Sequence, residues 1–247
     1  MLSFLNPKSN IFDNQCDLRQ QYMPVNVLIA AATEIGARVL ERIPSIQVVT
    51  GGYSFREMRI ETLISGIGPA STSWSLTKYF SSHPTPDLAI NIGIAGSYRD
   101  QVKIGDVVVP VTDRFADLGI ETKDGFLTLE EAGLADPDRF PFREGILRAG
   151  NEYNVKACTI CRAVNAVTVN TATGSSVSIE RIRKKYDPDI ETMEGATFFY
   201  ICSGERIPFL ALRSISNMVE PRDRSRWNIP LALDCLAEKL KDFFLMI

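Results

Sequence analysis

Two charged side chains stand inside apolar segments, where a charge needs a partner or a ligand. Glu194 ends the strand-like segment IETME and precedes the apolar run ATFFYIC, while Arg213 lies within FLALRSIS, which Asn217 closes. An unpaired carboxylate is costly to bury, and an arginine in such a segment requires an acid or a ligand anion. Glu194, Arg213 and Asn217 are therefore candidate site residues. The alternative for Glu194 is a helix N-terminal charge that the helix dipole stabilises.

Glu34 and two glycine turns are further candidates. Glu34 follows the first apolar run, VNVLIAAA, and is either a site carboxylate or a first-turn helix carboxylate. The turns are Gly66-Ile67-Gly68 and Gly93-Ile94-Ala95-Gly96. Glycine lets backbone N–H groups crowd around a ligand, so ligand binding and a purely structural role both stay open. Neither turn completes GxGxxG, since Ser71 takes the third glycine position, and this argues against a dinucleotide site.

Composition excludes several classes of function. The 247 residues carry 27 basic and 30 acidic side chains, a net charge of -3 that gives no footprint for nucleic acid or an anionic membrane. No run approaches the ~20 apolar residues of a membrane span. The single histidine, His83, argues against a histidine-rich metal site. Five scattered cysteines indicate reduced thiols in a cytoplasmic protein, and Cys158-x-x-Cys161 is interpreted as a buried pair within a strand.

The segments that position these residues alternate between strand-like and helix-like patterns, as in a sheet flanked by helices. Residues 1–22 are polar and non-periodic and are predicted to be a disordered tail or an over-long start, leaving 23–247 as one α/β catalytic domain. Ligands of open α/β sheets gather at the carboxyl ends of strands, which is where Glu34, Glu194 and Asn217 fall. Strands are predicted from Val25, Met58, Leu88 and Gly105, through Cys158–Thr168, and at IETME and FLALRSIS. Because it contains Pro110, the strand from Gly105 is expected to be bent or to lie at an edge of the sheet. Helices are predicted at 34–42, from Pro69, near 143–151 and 175–185, at 195–202 and from Ile229.

Several strings resemble the purine nucleoside phosphorylase and nucleosidase superfamily. They are GIGPASTSWSL, INIGIAGSYRDQVKIGDVVVP, TVNTATGSS, ETMEGATFFYIC and LRSISNMVEPRD, and the likeness extends from Val25 to the last helix. ADLGIET, NTATGS and the SN…PRD…W ending are most similar to the members that cleave futalosine. The resemblance implies a single-domain, three-layer α/β sandwich around a central mixed, partly barrel-like sheet. It also implies a homodimer or higher homo-oligomer with neither metal nor organic cofactor.

The resemblance assigns roles to individual residues. Glu194, beside Met193, corresponds to the glutamate that holds the ribose hydroxyls as positive charge develops on the sugar, and Arg213 to an arginine near the attacking water or phosphate. Asn217 stands where adenine-cleaving relatives have an aspartate; its NH2 can meet an oxo group and its carbonyl a ring N–H, which favours a 6-oxopurine. The implied substrate-binding residues are Ile94, Ala95, Gly96, Thr171, Ala172, Met193 and Ser216.

The resemblance thus implies hydrolysis of the N-glycosidic bond of a 6-oxopurine nucleoside, with futalosine as substrate and hypoxanthine released for menaquinone biosynthesis. Water is favoured over phosphate because the 66–71 stretch contains no arginine. Adenine-cleaving relatives bind the attacking water with an acid, and the corresponding position in this chain is Gly36. Glu34 is expected to replace that acid if the turn after the first strand is shifted. Relatives often stack an aromatic on the purine where this chain has Thr171 and Ala172, so Phe115 or Trp227 is expected to serve. Alternatives are a methylthioadenosine/S-adenosylhomocysteine nucleosidase, a purine nucleoside phosphorylase and a non-catalytic nucleoside-binding protein.

Overall fold

The computed structural model describes residues 24–123 and 125–247, so the predicted tail at 1–22 lies outside the described residues. Ten strands form one sheet and two more form a separate hairpin. The strands are β1 Val25–Ala31, β2 Gln47–Val49, β3 Gly52–Phe55, β4 Met58–Ile64, β5 Leu88–Ser97, β6 Val107–Asp113, β7 Gly119–Thr122, β8 Gly125–Thr128, β9 Leu147–Arg148, β10 Arg162–Thr168, β11 Ile190–Thr192 and β12 Phe209–Met218. The α-helices are α1 Glu34–Ala37, α2 Gly68–Ser82, α3 Glu152–Ala157, α4 Ser176–Tyr186, α5 Gly195–Gly204 and α6 Ile229–Phe244, and 3-10 turns span Arg38–Arg42 and Arg224–Arg226.

The large sheet closes on itself along part of its width. Its order is β11-β10-β6-β12-β5-β1-β4-β3-β2, and β11 also pairs with β5, so five strands form a barrel. The closing pair is antiparallel and short, with Ile190 opposite Ser97 and Glu191 opposite Gly96. β1 is parallel to both β4 and β5, whereas β12 is parallel to β5 and antiparallel to β6. The predicted mixed, partly barrel-like sheet is confirmed.

Helices cover both faces of the sheet. Alternate residues of β1 point to opposite faces: Ile29 belongs to a core cluster with Leu236, Leu240 and Phe243 of α6, and Leu28 to a second cluster with α2 and α5. A strand buried on both faces explains the nearly continuous apolar run from Val25. The three-layer arrangement predicted from the resemblance is therefore present.

The helix predicted near 143–151 is wrong. This stretch is irregular apart from β9, and α3 begins only at Glu152. Asn151 sets that boundary, because its side chain accepts hydrogen bonds from the N–H groups of Tyr153 and Asn154. Such a cap fixes the first helical turn after it, so the apolar spacing upstream does not continue into a helix.

Two other local predictions need correction. Cys158 and Cys161 lie in the turn after α3 rather than in a strand, since β10 begins at Arg162. The edge position offered for the proline-containing strand is wrong, because β6 has β10 and β12 as neighbours. The bent strand, the other alternative, stays a prediction; the structure shows a shift of the β10 register beside Pro110, between Val164 and Asn165. A strand interior tolerates proline at such an irregularity.

The end of the chain follows its prediction closely. Asn228 caps α6 by accepting from the N–H of Leu231, and Pro230 lies in the first turn.

In the part of the chain that the structure describes, no helix is both long enough and apolar enough to cross a membrane.

Candidate active site

Three charged side chains meet where β6, β11 and β12 approach one another. Asp113 ends β6, Glu194 follows β11, and Arg213 lies within β12. The charges of Glu194 and Asp113 both act on Arg213, and that of Glu194 also acts on Asp113. The sheet therefore gathers one cation and two acids at one edge, as expected for Glu194 and Arg213 from the sequence.

Glu194 is held by the first glycine turn. It occupies the N-cap position of α5 but makes no capping bond with its side chain. Instead, its Oε1 accepts a hydrogen bond of 3.1 Å from the N–H of Gly68, at the start of α2. Gly66 and Gly68 have positive φ values of 78° and 83°, which favour glycine and turn this amide toward the carboxylate. The alternative for Glu194, a helix N-terminal charge that the helix dipole stabilises, is compatible with this placement, because the carboxylate lies at the N-terminus of α2. Both interpretations of Glu194 therefore stay open.

Arg213 is buried, at 1% exposure, and is fixed by a neighbouring strand. Its Nη1 donates to the carbonyl oxygens of Asn91 (2.7 Å) and Leu212 (3.1 Å), and its Nη2 donates to Asn91 Oδ1. Asn91 is itself anchored on β1, because its Nδ2 donates to the Ala30 carbonyl at 3.0 Å. Burial lowers the pKa of Arg213, and the charges of Glu194 and Asp113 raise it. The guanidinium also lies against Gly93, the first residue of the second glycine turn.

Asn217 and the second glycine turn form the other half of the site. The register of β12 shifts between Ile215 and Asn217, which places Ser216 in a bulge opposite Ala95 and Gly96. Asn217 Oδ1 accepts from Ser216 Oγ at 2.8 Å, and Nδ2 donates to the Met218 carbonyl at 3.0 Å. A Cβ on Gly96 would lie 3.2 Å from Asn217 Nδ2, so the glycine makes room for the carboxamide. The structure thus brings Ala95, Gly96, Ser216 and Asn217 together.

The loop that contains Thr171 and Ala172 is tied down on both sides. Asp117 accepts from the N–H groups of Asn170 (2.6 Å) and Thr171 (3.3 Å). Glu191 accepts from the Thr173 N–H at 2.8 Å and from its hydroxyl, and also from the Tyr98 hydroxyl at 2.8 Å. Thr171 remains exposed and Ala172 is half-buried.

This loop also meets the segment that contains Trp227. The Arg222 N–H donates to the Gly174 carbonyl at 3.1 Å, and the Asn228 N–H donates to the Ser216 carbonyl at 2.8 Å. Trp227, between them in the chain, has the guanidinium of Arg222 5.3 Å from its ring centroid. The other aromatic residue expected near a purine, Phe115, forms a β-bridge with Thr168, and the choice between Trp227 and Phe115 stays open.

The remaining predicted residues are less closely joined. Met193 and Ile94 are half-buried, and each packs against a different core cluster. Glu34 begins α1, where Thr33 is the cap, and its side chain is exposed. No hydrogen bond links Glu34 to Glu194 or Arg213 in the described residues, so its role as the water-binding acid stays a prediction.

Sequence reasoning missed Asp113 and Asn91. Asp113 is an acid at the end of an apolar strand, the same signal that singled out Glu194, and could have been found by it. Asn91 lies inside a buried strand, where a polar residue needs a partner, but nothing in the pattern points to Arg213, 122 residues away. Within 24–123 and 125–247, no cluster of three His, Cys, Asp or Glu side chains is placed to hold a metal ion.

Comparison with known proteins identifies the family. A sequence model of the Phosphorylase superfamily matches residues 25–245. The chain belongs to the Phosphorylase superfamily. The family predicted from the sequence strings is thereby confirmed.

Within the superfamily, the chain is similar to futalosine hydrolases and to methylthioadenosine nucleosidases. It is 30% identical over 224 residues to a futalosine hydrolase of Streptomyces coelicolor, covering 87% of this chain and 93% of that one. It is 28% identical over 198 residues to a 5'-methylthioadenosine/S-adenosylhomocysteine nucleosidase of Buchnera aphidicola, covering 78% and 81%. The fold matches that of the Helicobacter pylori futalosine hydrolase with a TM-score of 0.73 at 17% identity, over 91% of this chain and 99% of that chain.

Proposed function

We propose that this chain is a nucleosidase that hydrolyses the N-glycosidic bond of futalosine and releases hypoxanthine for menaquinone biosynthesis. The observation that carries the proposal is the carboxylate of Glu194, fixed at the sheet edge beside Arg213 and Asp113. Glycosidic cleavage builds positive charge on the sugar, and a preorganised negative group stabilises that charge without reorganising. The similarity to futalosine hydrolase at 30% identity supports the choice of substrate.

Water is the proposed acceptor of the sugar. A phosphorylase needs free amides and arginines around the anion. Here the Gly68 N–H already donates to the Glu194 carboxylate. This negative charge would lie beside a phosphate bound at the same turn and would repel it. Arg213 donates to Asn91 rather than toward this turn. Phosphate would meet a carboxylate where it needs a donor, and this favours hydrolysis.

Asn217 supports a 6-oxopurine. Its carboxamide lies on Gly96 and currently bonds to Ser216 and Met218, the kind of local contact that a purine can replace. With its NH2 toward an oxo group and its carbonyl toward a ring N–H, the amide matches hypoxanthine. With Nδ2 held in this orientation by its bond to the Met218 carbonyl, a 6-aminopurine would face it donor to donor, which penalises adenine.

The test is base release by the purified protein from futalosine, inosine and methylthioadenosine, each with and without phosphate. We expect hypoxanthine from futalosine at a rate that phosphate does not change. Adenine release would support the second candidate, the methylthioadenosine/S-adenosylhomocysteine nucleosidase, which the similarity to the Buchnera aphidicola enzyme favours. Stimulation by phosphate would favour a phosphorylase, and tight purine binding without turnover a nucleoside-binding protein.

We also propose that the chain forms a homo-oligomer in the cytoplasm. Three large apolar side chains near the start of α2 are exposed: Trp74 in the helix at 70%, Ile67 at its N-cap at 58% and Ile64 at the end of β4 at 42%. Exposed apolar side chains that form a patch are typical of an interaction surface. Trp74→Glu is expected to lower the mass measured by light scattering, whereas Lys184→Glu, a charge change at an exposed position of α4, is not. The four described cysteines are free, which supports a reducing compartment.

A further inference from the structure

Asp113 is a buried acid that the proposed reaction does not yet use. It ends β6 with 1% of its surface exposed. Its Oδ1 accepts from Thr168 Oγ1 at 3.0 Å and from the Arg114 N–H at 2.8 Å. Its Oδ2 is buried and has no hydrogen-bond partner among the described residues. A buried carboxyl oxygen without a hydrogen bond lowers the stability of the fold. The presence of Asp113 beside Glu194 and Arg213 therefore suggests a role other than stabilisation.

The unpaired oxygen lies directly against the start of α5. A Cβ built on Gly195 would be 2.1 Å from Asp113 Oδ2 and 3.3 Å from its Cγ. The carboxyl group therefore occupies the space that any side chain at position 195 would need. Gly195 follows Glu194 in the chain, so Asp113 packs on the peptide that places the Glu194 carboxylate.

A chain of hydrogen bonds connects Asp113 to the same turn. Thr168, which donates to Asp113, accepts from the Ala196 N–H at 2.7 Å. Thr192 lies 3.2 Å from the Thr168 hydroxyl and accepts from the Gly195 N–H at 3.2 Å. The first two amides of α5 are thus satisfied by hydroxyls that Asp113 orients, rather than by a side chain of the helix itself.

We propose that Asp113 is a positioning residue of this site, which fixes the first turn of α5 and thereby the direction of the Glu194 carboxylate. Only the kinetic measurements that test this role depend on the proposed function. Asp113 does not touch the sugar; it acts through Gly195 and Thr168. In its ionised form it also adds a second negative charge to the cluster that faces the developing cation.

The ionisation of Asp113 is expected to appear in the pH dependence of kcat/KM. Burial raises the pKa of Asp113 to about 7, although the bonds from Thr168 and the Arg114 N–H and the charge of Arg213 lower it, while Glu194 raises it further. Glu194 and Arg213 are the charged side chains that act on it. Because the ionised form favours a cationic sugar, kcat/KM of the wild type is expected to rise with pH through about 7, and Asp113→Asn is expected to remove that rise.

The decisive experiment uses the close contact with Gly195. Gly195→Ala places a methyl group where the carboxyl lies, 2.1 Å from Asp113 Oδ2 and 2.9 Å from Thr192 Oγ1. Asp113→Ala with Gly195→Ala removes the closer contact and leaves the one with Thr192 Oγ1. We expect the double variant to recover part of the thermal midpoint that the single Gly195→Ala loses, but to keep kcat about 10- to 100-fold below wild type with little change in KM, as for a misplaced catalytic group. Recovery of kcat together with stability would reduce Asp113 to a packing role and overturn the proposal.

A second readout does not need turnover. Hydrogen–deuterium exchange of the peptide that covers 193–199 is expected to be faster in the double variant than in wild type, because the amides of Gly195 and Ala196 lose their oriented acceptors. Thr112→Val on the same strand is the matched control, since Thr112 bonds to Asn165 instead. If wild type releases no base, the proposed function fails, and unchanged exchange at 193–199 would separately refute the positioning role.

Discussion

Replacement of Glu194 by glutamine is the sharpest test of the charge in this site. The amide keeps an oxygen that can accept from the Gly68 N–H at 3.1 Å, so the turn and α5 are expected to stay in place. Only the negative charge is lost. A unit charge about 4 Å from a developing cation contributes about 4 kcal/mol at an effective dielectric constant of 20. Glu194 is half-buried, so we reduce this to about 3 kcal/mol for solvent screening, a loss of about 100-fold in kcat.

The assay is hypoxanthine release from futalosine at saturating substrate, with the free energy of unfolding measured in parallel. Glu205→Gln is the control, because Glu205 is an exposed acid at the opposite end of α5. We expect Glu205→Gln to retain full activity and both variants to unfold like wild type. A Glu194→Gln enzyme within a few-fold of wild-type kcat would refute an electrostatic role for this carboxylate. Loss of folding would instead mean that the negative charge itself stabilises the fold.

Three other outcomes test the rest of the site. Asn217→Asp is expected to shift the ratio of hypoxanthine to adenine released by at least about 10-fold toward adenine, measured with futalosine and methylthioadenosine; an unchanged ratio would mean that Asn217 does not read the base. Arg213→Met leaves Glu194 and Asp113 without their cation and should lower the free energy of unfolding in urea by about 3–5 kcal/mol, more than Arg213→Lys. The pKa of Asp113 is raised in the fold to about 7 from 3.8, so wild type binds its proton more tightly than the unfolded chain does and loses stability as pH rises between these values, by up to about 4 kcal/mol; Asp113→Asn should flatten this dependence.

The elements that the sequence predicts well are those with a strong local signal. The run from Val25 is apolar because β1 is buried on both faces, and Asn228 and Pro230 mark the start of α6 without reference to the rest of the chain. The failed helix near 143–151 shows the limit of periodicity, since the Asn151 cap decides where α3 begins. Barrel closure rests on two residue pairs between β11 and β5, nearly 100 residues apart. No pattern of apolar residues encodes so short a pairing.

In the candidate site too, the sequence predicts residues that have a local signal but not the distant residues that contact them. Glu194, Arg213 and Asn217 were predicted because each breaks an apolar segment. The structure places the charge of Glu194 where it acts on Arg213, and Asn217 near the end of the strand that contains Arg213. Their partners were not predictable, because Gly68 lies 126 residues from Glu194 and Asn91 lies 122 residues from Arg213. Burial forces each charge to find a partner, but the identity of that partner depends on the closed sheet.

The two halves of the site are supported by different parts of the fold. Arg213 and Asp113 lie on strands of the barrel, and Glu194 is fixed between β11 and α2, so the charged cluster cannot move without disturbing the core. The proposed purine side consists of a loop that Asp117 and Glu191 hold through its backbone and of a single bulge at Ser216. Substitutions in the loop can therefore change which base is accepted while the cluster keeps its geometry. On this fold, base preference is expected to vary through KM, and the cleavage step through kcat.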